Sequence, residues 1–343
     1  MRHPFSLRIA GMLAMLAAAA ACGGGAPRPR EEPTRIAFLF DTLKQERWQR
    51  DRDVFLEVLK GRGVEILVDA AEGDADLQAK QAQAMFDKGV KVLVIVPHDA
   101  VRAGEIAKAA KARKVPVISY DRLIRDADID LYVSFDNVRV GELQASYLTS
   151  RAPEGNYVLI GGAPTDYNAH QLREGQMSVL KPFVDRKAIR IVSSEWATDW
   201  RADEARKITE AALKKTRNRL AAVVASNDVT AGGAIEALEA AGVAGKVLVS
   251  GQDADLAAVR RIVAGTQAMT VYKPVRALAR LAAAAALNMT KGETPPTSTT
   301  VNNGFEDVPA MLVDPIPVDK DGIEPVLIRD GFHTREEVYG AAK

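Results

Sequence analysis

Short polar and aromatic clusters recur just after the strand-like runs of this sequence. Glu46-Arg47-Trp48, with Lys44 before it, follows the run Thr34 to Asp41. Asp121-Arg122 follows Val115–Tyr120, Asn227-Asp228 follows Leu220–Ser226, Asp253 follows Lys246–Gly251, and Lys273 follows Gln267–Tyr272. In an open parallel α/β sheet, ligands bind beyond the carboxyl ends of the strands. Carboxylates, guanidinium groups, amides and indoles at such ends suit a small, uncharged ligand with apolar C–H faces and a rim of hydroxyls. Each hydrogen bond to a charged group contributes about 1.5–3 kcal/mol in a desolvated site, against about 1 for a neutral pair.

Several of these residues have a second reading. Trp48 and Trp200, two of the three tryptophans, are placed to cover opposite sugar faces but also fit as core residues. Trp196, inside a strand-like run, reads as packing. Asp121 and Arg122 would hold adjacent hydroxyls, or else form a surface pair with Arg125 or Asp126. Asn227 and Asp228 stand where a helix begins, so one of them is expected to cap it. We assign Asn227 to the ligand and Asp228 to the cap. Asp253 has the same ambiguity. Lys273, before Pro274, sits either at a junction between lobes or in solvent.

The chemistry that is missing narrows the function. His3, His98, His170 and His333 are scattered and form no metal motif. No G-x-S-x-G elbow or G-x-x-x-x-G-K-[ST] phosphate loop occurs, and Gly161-Gly162 reads as a loop. Asp319 to Glu324 has too few ligands for a calcium loop. No catalytic residue, metal or cofactor is therefore expected. A formal net charge of +1, with scattered Lys and Arg, offers no basic field for nucleic acid.

Elements that position these clusters alternate along the chain. Ile36–Phe40, Val64–Val68, Val90–Val96, Val115–Ser119 and Leu131–Phe135 are β-branched-rich runs suited to strands buried on both faces, with helical segments between them. The rhythm restarts with Tyr157–Ile160, Ile189–Val192, Ala221–Val224 and Val247–Val249, and a last strand, Ala268–Tyr272, precedes the helix Val275–Met289. Two series of βα units predict an α/β protein of two doubly wound, Rossmann-like lobes. The tail from Thr297 reads as irregular, with Pro325–Ile328 extended.

Arg2, His3 and Arg8 precede the thirteen-residue apolar run Ile9–Ala21, too short to cross a bilayer and suited to a signal peptide. Ala19-Ala20-Ala21-Cys22-Gly23 resembles a lipoprotein signal with Cys22 acylated, although Ala19 departs from it and an ordinary cleavage site also fits. Cys22 is the one cysteine, so no intrachain disulfide forms. Residues 1–22 are thus assigned to the signal and 23–34 to a flexible tether. The mature chain is expected in the periplasm or at the cell surface, as a monomer, anchored through lipid.

Glu46-Arg47-Trp48-Gln49, Asp121-Arg122, Asp128-Ile129-Asp130, Ser134-Phe135-Asp136-Asn137, Gly141-Glu142-Leu143-Gln144, Ala225-Ser226-Asn227-Asp228, Ser250–Asp255 and Thr270–Pro274 resemble, in the same order, the D-xylose-binding branch of the ribose/galactose-type periplasmic sugar-binding proteins. The likeness runs from about Arg35 to His333. It implies the type I periplasmic binding protein fold, with a three-crossing hinge near Asp136-Asn137, Gln267–Lys273 and Val301–Gly304. The first lobe would hold 35–136 plus 273–302, the second 137–272 plus 303–340. It also implies sugar hydrogen bonds from Arg47, Asp121, Arg122, Asn168, Asn227, Asp253 and Lys273, and stacking by Trp48 and Trp200. Asp166-Tyr167 and His170 depart from the family pattern around Asn168. The implied partners are D-xylose or a related monosaccharide (ribose, arabinose, glucose) and a separate ABC permease with its ATPase. A sensory receptor serving a membrane kinase or chemoreceptor would share the pocket. Alanine at Trp200 or Arg122 is expected to weaken binding at least tenfold, about 1.4 kcal/mol, with little loss of fold.

Overall fold

The computed structural model describes residues 33–297 and 299–340; Cys22, the signal and nearly all of the tether lie outside them. The first lobe opens with β1 (Thr34–Phe40), α1 (Glu46–Leu59), β2 (Val64–Ala70), α2 (Ala75–Asp87), β3 (Val92–Ile95), α3 (Ala103–Ala112), β4 (Val117–Tyr120) and β5 (Leu131–Phe135). The second lobe follows with α4 (Asn137–Arg151), β6 (Gly155–Gly161), α5 (Tyr167–Asp185), β7 (Ile189–Trp196), α6 (Ala202–Thr216), β8 (Ala222–Ala225), α7 (Asp228–Ala240), β9 (Leu248–Val249), α8 (Leu256–Ala264) and β10 (Thr270–Tyr272). The chain then returns through α9 (Val275–Thr290), β11 (Thr299–Asn302) and β12 (Asp307–Val313), and ends in β13 (Ile316–Val318) and α10 (Arg335–Tyr339).

Side-chain alternation explains the layers. Along β1, Ile36, Phe38 and Phe40 face Phe55 and Leu59 of α1 and Leu278 and Ala282 of α9, while Ala37 and Leu39 face Met85 and Phe86 of α2 and Ile106 of α3. A strand buried on both faces needs helices on both sides, as in doubly wound sheets. The second lobe repeats the arrangement. Val158 and Ile160 of β6 pack towards α6 and α7, and Tyr157 and Leu159 towards α4 and α5.

The first sheet has the order β11-β12-β5-β4-β3-β1-β2, the second β7-β6-β8-β9, and β10 pairs with β13 alone. This corrects the assignment of 303–340 to the second lobe. β12 pairs in parallel with β5, Ala310 opposite Tyr132, so residues 307–313 complete the first sheet. The last crossing is then Asp314-Pro315, between β12 and β13, and not Val301–Gly304. Pro309 and Pro315 mask this strand, because proline is confined to edges and breaks elsewhere in sheets. Ile323–Ile328 forms a π-helical turn rather than an extended piece. Its buried residues Ile323 and Leu327 are four apart, a helical spacing, and both join the cluster around Tyr272 and Phe332.

Candidate functional site

All nine residues singled out above line one cleft between the lobes. Each stands at a strand end or a helix start. Arg47 and Trp48 lie in the first turn of α1, and Asp121 and Arg122 follow β4. From the second lobe come Asn168 in the first turn of α5, Trp200 in a 3-10 turn, Asn227 after β8, and Asp253 after β9. Lys273 follows β10 at the crossing. Gln45, Asn137, Asp166 and Gln252 share the lining and were missed. Asp166 obeys the same strand-end rule, two residues before Asn168, and Gln252 adjoins Asp253.

The buried face of α1 is unusual. It carries Arg47 and Asp51 beside Trp48, Val54, Phe55 and Leu59. Buried charges are rare unless paired, and these are paired. The Arg47 guanidinium contacts Asp121, lies 3.4 Å from Asp51, and reaches to 3.6 Å from Asp253 of the other lobe. Burial would weaken its hold on the proton, but those three carboxylates more than offset this and raise its pKa. Burial pushes Asp51 up to about 6, against the pull of Arg47 and a hydrogen bond from Tyr120. For Asp121 the balance goes the other way: the nearby Arg47 and Lys273 outweigh burial and lower its pKa.

Arg122 bridges the lobes. Its Nη1 donates to Asp41 at 2.6 Å and its Nε lies 2.7 Å from Asp166. Asn168 Nδ2 also crosses the cleft, donating to the Asp121 carbonyl at 3.0 Å. Neither Asp121 nor Arg122 pairs at the surface with Arg125 or Asp126; both are buried. Lys273 is likewise buried, 3.0 Å from Asp253.

The two indoles differ. The Arg47 guanidinium lies 4.2 Å over the Trp48 ring, and Phe40 meets that ring edge-on. Trp200 Nε1 donates to Asp166 at 3.2 Å. Its ring rests on Gly162, where a Cβ would come within 2.2 Å, so the glycine pair is more than a loop. Trp196 lies at the rim under Arg173 and beside His170.

The cap expected at Asp228 is Asn227 instead, which also lines the cleft. Asn227 is the N-cap of α7, and its Oδ1 accepts from Thr230 N at 2.9 Å, leaving its amide nitrogen for the cleft. Asp228 does not cap α7. Its buried carboxylate accepts from Gln267 Nε2, Thr270 Oγ1 and the backbone N of Asp255, tying α7 to the start of α8 and to the segment leading into Lys273.

Three buried polar atoms of the lining lack a hydrogen-bond partner: Trp48 Nε1, Asn137 Oδ1 and Gln252 Oε1. One is a donor and two are acceptors. A buried group left unpaired costs about 1–3 kcal/mol, and a hydroxyl can both give and take a hydrogen. Backbone strain gathers here as well, since Asp121, Asp199, Trp200, Asp253 and Ala254 all have φ between 53° and 97°. Non-glycine residues in that region persist where the surroundings over-determine them.

One pH effect follows from the rim. His98 Nδ1 lies 2.8 Å from Asp41. That hydrogen bond, opposed by partial burial, raises the His98 pKa above its usual 6.5. A histidine raised on folding stabilises fully below its unfolded pKa and loses that contribution as pH rises through the folded value. Thermal unfolding from pH 6 to 8 should therefore show a downward contribution that His98→Asn removes. Identical slopes in both proteins would contradict the pairing.

A family profile described as a periplasmic binding protein domain matches residues 36–294. The D-xylose-binding periplasmic protein of Escherichia coli K12 is 49% identical over 304 residues, 89% of this chain and 92% of that protein. The protein of the same description from Haemophilus influenzae is 48% identical over 305 residues, again 89% and 92%. Among solved structures, a carbohydrate transporter solute-binding protein from Chloroflexus aurantiacus, in complex with D-glucose, matches with a TM-score of 0.83 at 32% identity, covering 89% of this chain and 98% of that one.

Proposed function

The chain belongs to the periplasmic binding protein family, and on that footing we propose that it is the D-xylose-binding component of an ABC importer. The observation that carries this reading is the set of unpaired buried polar atoms in the cleft, from Trp48 of one lobe and Asn137 and Gln252 of the other. A pentose ring offers hydroxyls to each of them and apolar faces to the indoles. Because the ligand touches both lobes, it favours the closed form by its differential affinity for that form. The closed protein then hands the sugar to a separate permease and ATPase.

Within this reading Arg47, Asp121, Asn168, Asn227, Asp253 and Lys273 bind hydroxyls, as do Asn137 and Gln252, and Trp48 and Trp200 cover the ring. Arg122 acts through its two carboxylate partners as well as on the sugar. Trp200→Ala should weaken xylose binding at least tenfold, about 1.4 kcal/mol, with the fold retained. In cells lacking the chain, the native protein should restore uptake of labelled xylose at low concentration and Trp200→Ala at equal abundance should not. Equal uptake with both would count against the site. Uptake that never depended on the chain would count against import.

Acylation of Cys22 would hold the chain at the membrane through several acyl chains, since one anchors weakly. Cys22→Ala should then move the protein from the membrane to the soluble fraction. An unchanged distribution would rule out the anchor.

A further inference from the structure

We infer that His333, near the end of the chain, is a positioning residue for Asp253 in the sugar site. The inference rests on the proposed role of that carboxylate. Asp253 and Ala254 adopt φ of 97° and 54°, a left-handed pair that no glycine eases. Asp253 needs this turn to present its Oδ1 to Lys273 at 3.0 Å and towards Arg47 at 3.6 Å. Four hydrogen bonds hold the turn. Asp253 N donates to the Val271 carbonyl at 2.9 Å, Ala254 N donates to Thr270 Oγ1 at 3.2 Å, and Asp255 N donates to Asp228 Oδ2 at 3.0 Å. The fourth comes from near the end of the chain: His333 Nε2 lies 2.7 Å from the Ala254 carbonyl.

The ring's surroundings fix its tautomer. His333 is 2% exposed, and burial, reinforced by the nearby Arg50, lowers its pKa and keeps it neutral. Arg50 Nη2 lies 3.5 Å from Nδ1. A guanidinium can only donate, so Nδ1 is the acceptor and the hydrogen sits on Nε2, aimed at the Ala254 carbonyl.

Arg50 gives the contact its reach. It lies one turn beyond Arg47 on α1, donates through Nη1 to the Phe332 carbonyl at 2.5 Å, and covers the Phe332 ring at 4.4 Å. Phe332 in turn packs on Tyr272, the residue before Lys273. The segment 332–333 therefore ties the helix that supplies Arg47 in one lobe to the turn that supplies Asp253 in the other. His333 does not itself line the cleft and acts through the Asp253 turn.

The experiment compares xylose affinity and thermal unfolding of the full chain with those of His333→Gln and His333→Met. Glutamine keeps an N–H donor near the Nε2 position; methionine fills similar space without one. His333→Gln should bind within about threefold of the native protein and His333→Met at least about tenfold more weakly, because a buried carbonyl loses its donor, with both variants folded. Equal affinities for the two variants would overturn the inference, as would failure of His333→Met to fold, which would make the residue structural. Absence of xylose binding by the native protein is the separate result that would overturn the proposed function instead.

Discussion

Arg122→Met is expected to weaken xylose binding by a hundredfold or more and also to lower the unfolding temperature. The guanidinium stands between Asp41 of the first lobe and Asp166 of the second, both buried. Removing one partner of a buried pair leaves an uncompensated charge and costs about 3–5 kcal/mol; a hundredfold change in affinity is about 2.7 kcal/mol. The two halves of that cost appear in different measurements. Loss of the Asp41 contact falls within one lobe and lowers stability without any sugar present. Loss of the Asp166 contact penalises closure and appears in affinity. The expectation from sequence that this residue could be removed with little loss of fold is thereby revised. Arg122→Lys should recover part of each effect only, since an ammonium lacks the planar fork that reaches two carboxylates at once. Calorimetry and thermal unfolding decide the matter, and an Arg122→Met affinity within tenfold of native would refute the bridging role.

The second large effect concerns Arg47. With methionine there, Asp51 and Asp121 lose the cation that offsets their burial, and Asp51 already sits at about 6 with Arg47 present. Both carboxylates should then hold protons to higher pH in the folded protein than in the unfolded chain, where aspartate titrates near 3.9. Between those values the folded state binds more protons, so stability falls as pH rises. Arg47→Met should lose about 3–5 kcal/mol of stability, lose more at pH 8 than at pH 5.5, and fail to bind sugar. Unfolding temperatures matching the native protein at both pH values would contradict the role given to this guanidinium.

Legibility from sequence followed the physics of each feature. Strand ends were readable, because β-branched runs bounded by polar clusters have few other meanings, and that rule alone led to residues as far apart as Arg47 and Lys273. The order of the lobes was readable from the restart of the βα rhythm. β12 was not, since Pro309 and Pro315 break the pattern that marks a strand, and its partner β5 lies far back in the chain. The cap was placed one residue late, at Asp228 instead of Asn227, because capping and ligand binding favour the same side chains and Asn227 does the first while facing the cleft. The pairing of Arg122 with Asp166 depends on two lobes meeting across a cleft. No spacing along the chain reports that meeting.

On the proposed function, the cleft is built for one pentose. Titration calorimetry of the chain from Glu31 onward with D-xylose, and in parallel with ribose, arabinose, glucose and galactose, tests it most directly. Tight one-to-one binding of xylose and much weaker binding of the other four are expected. No binding of xylose, or a clear preference for another of these sugars, would contradict it.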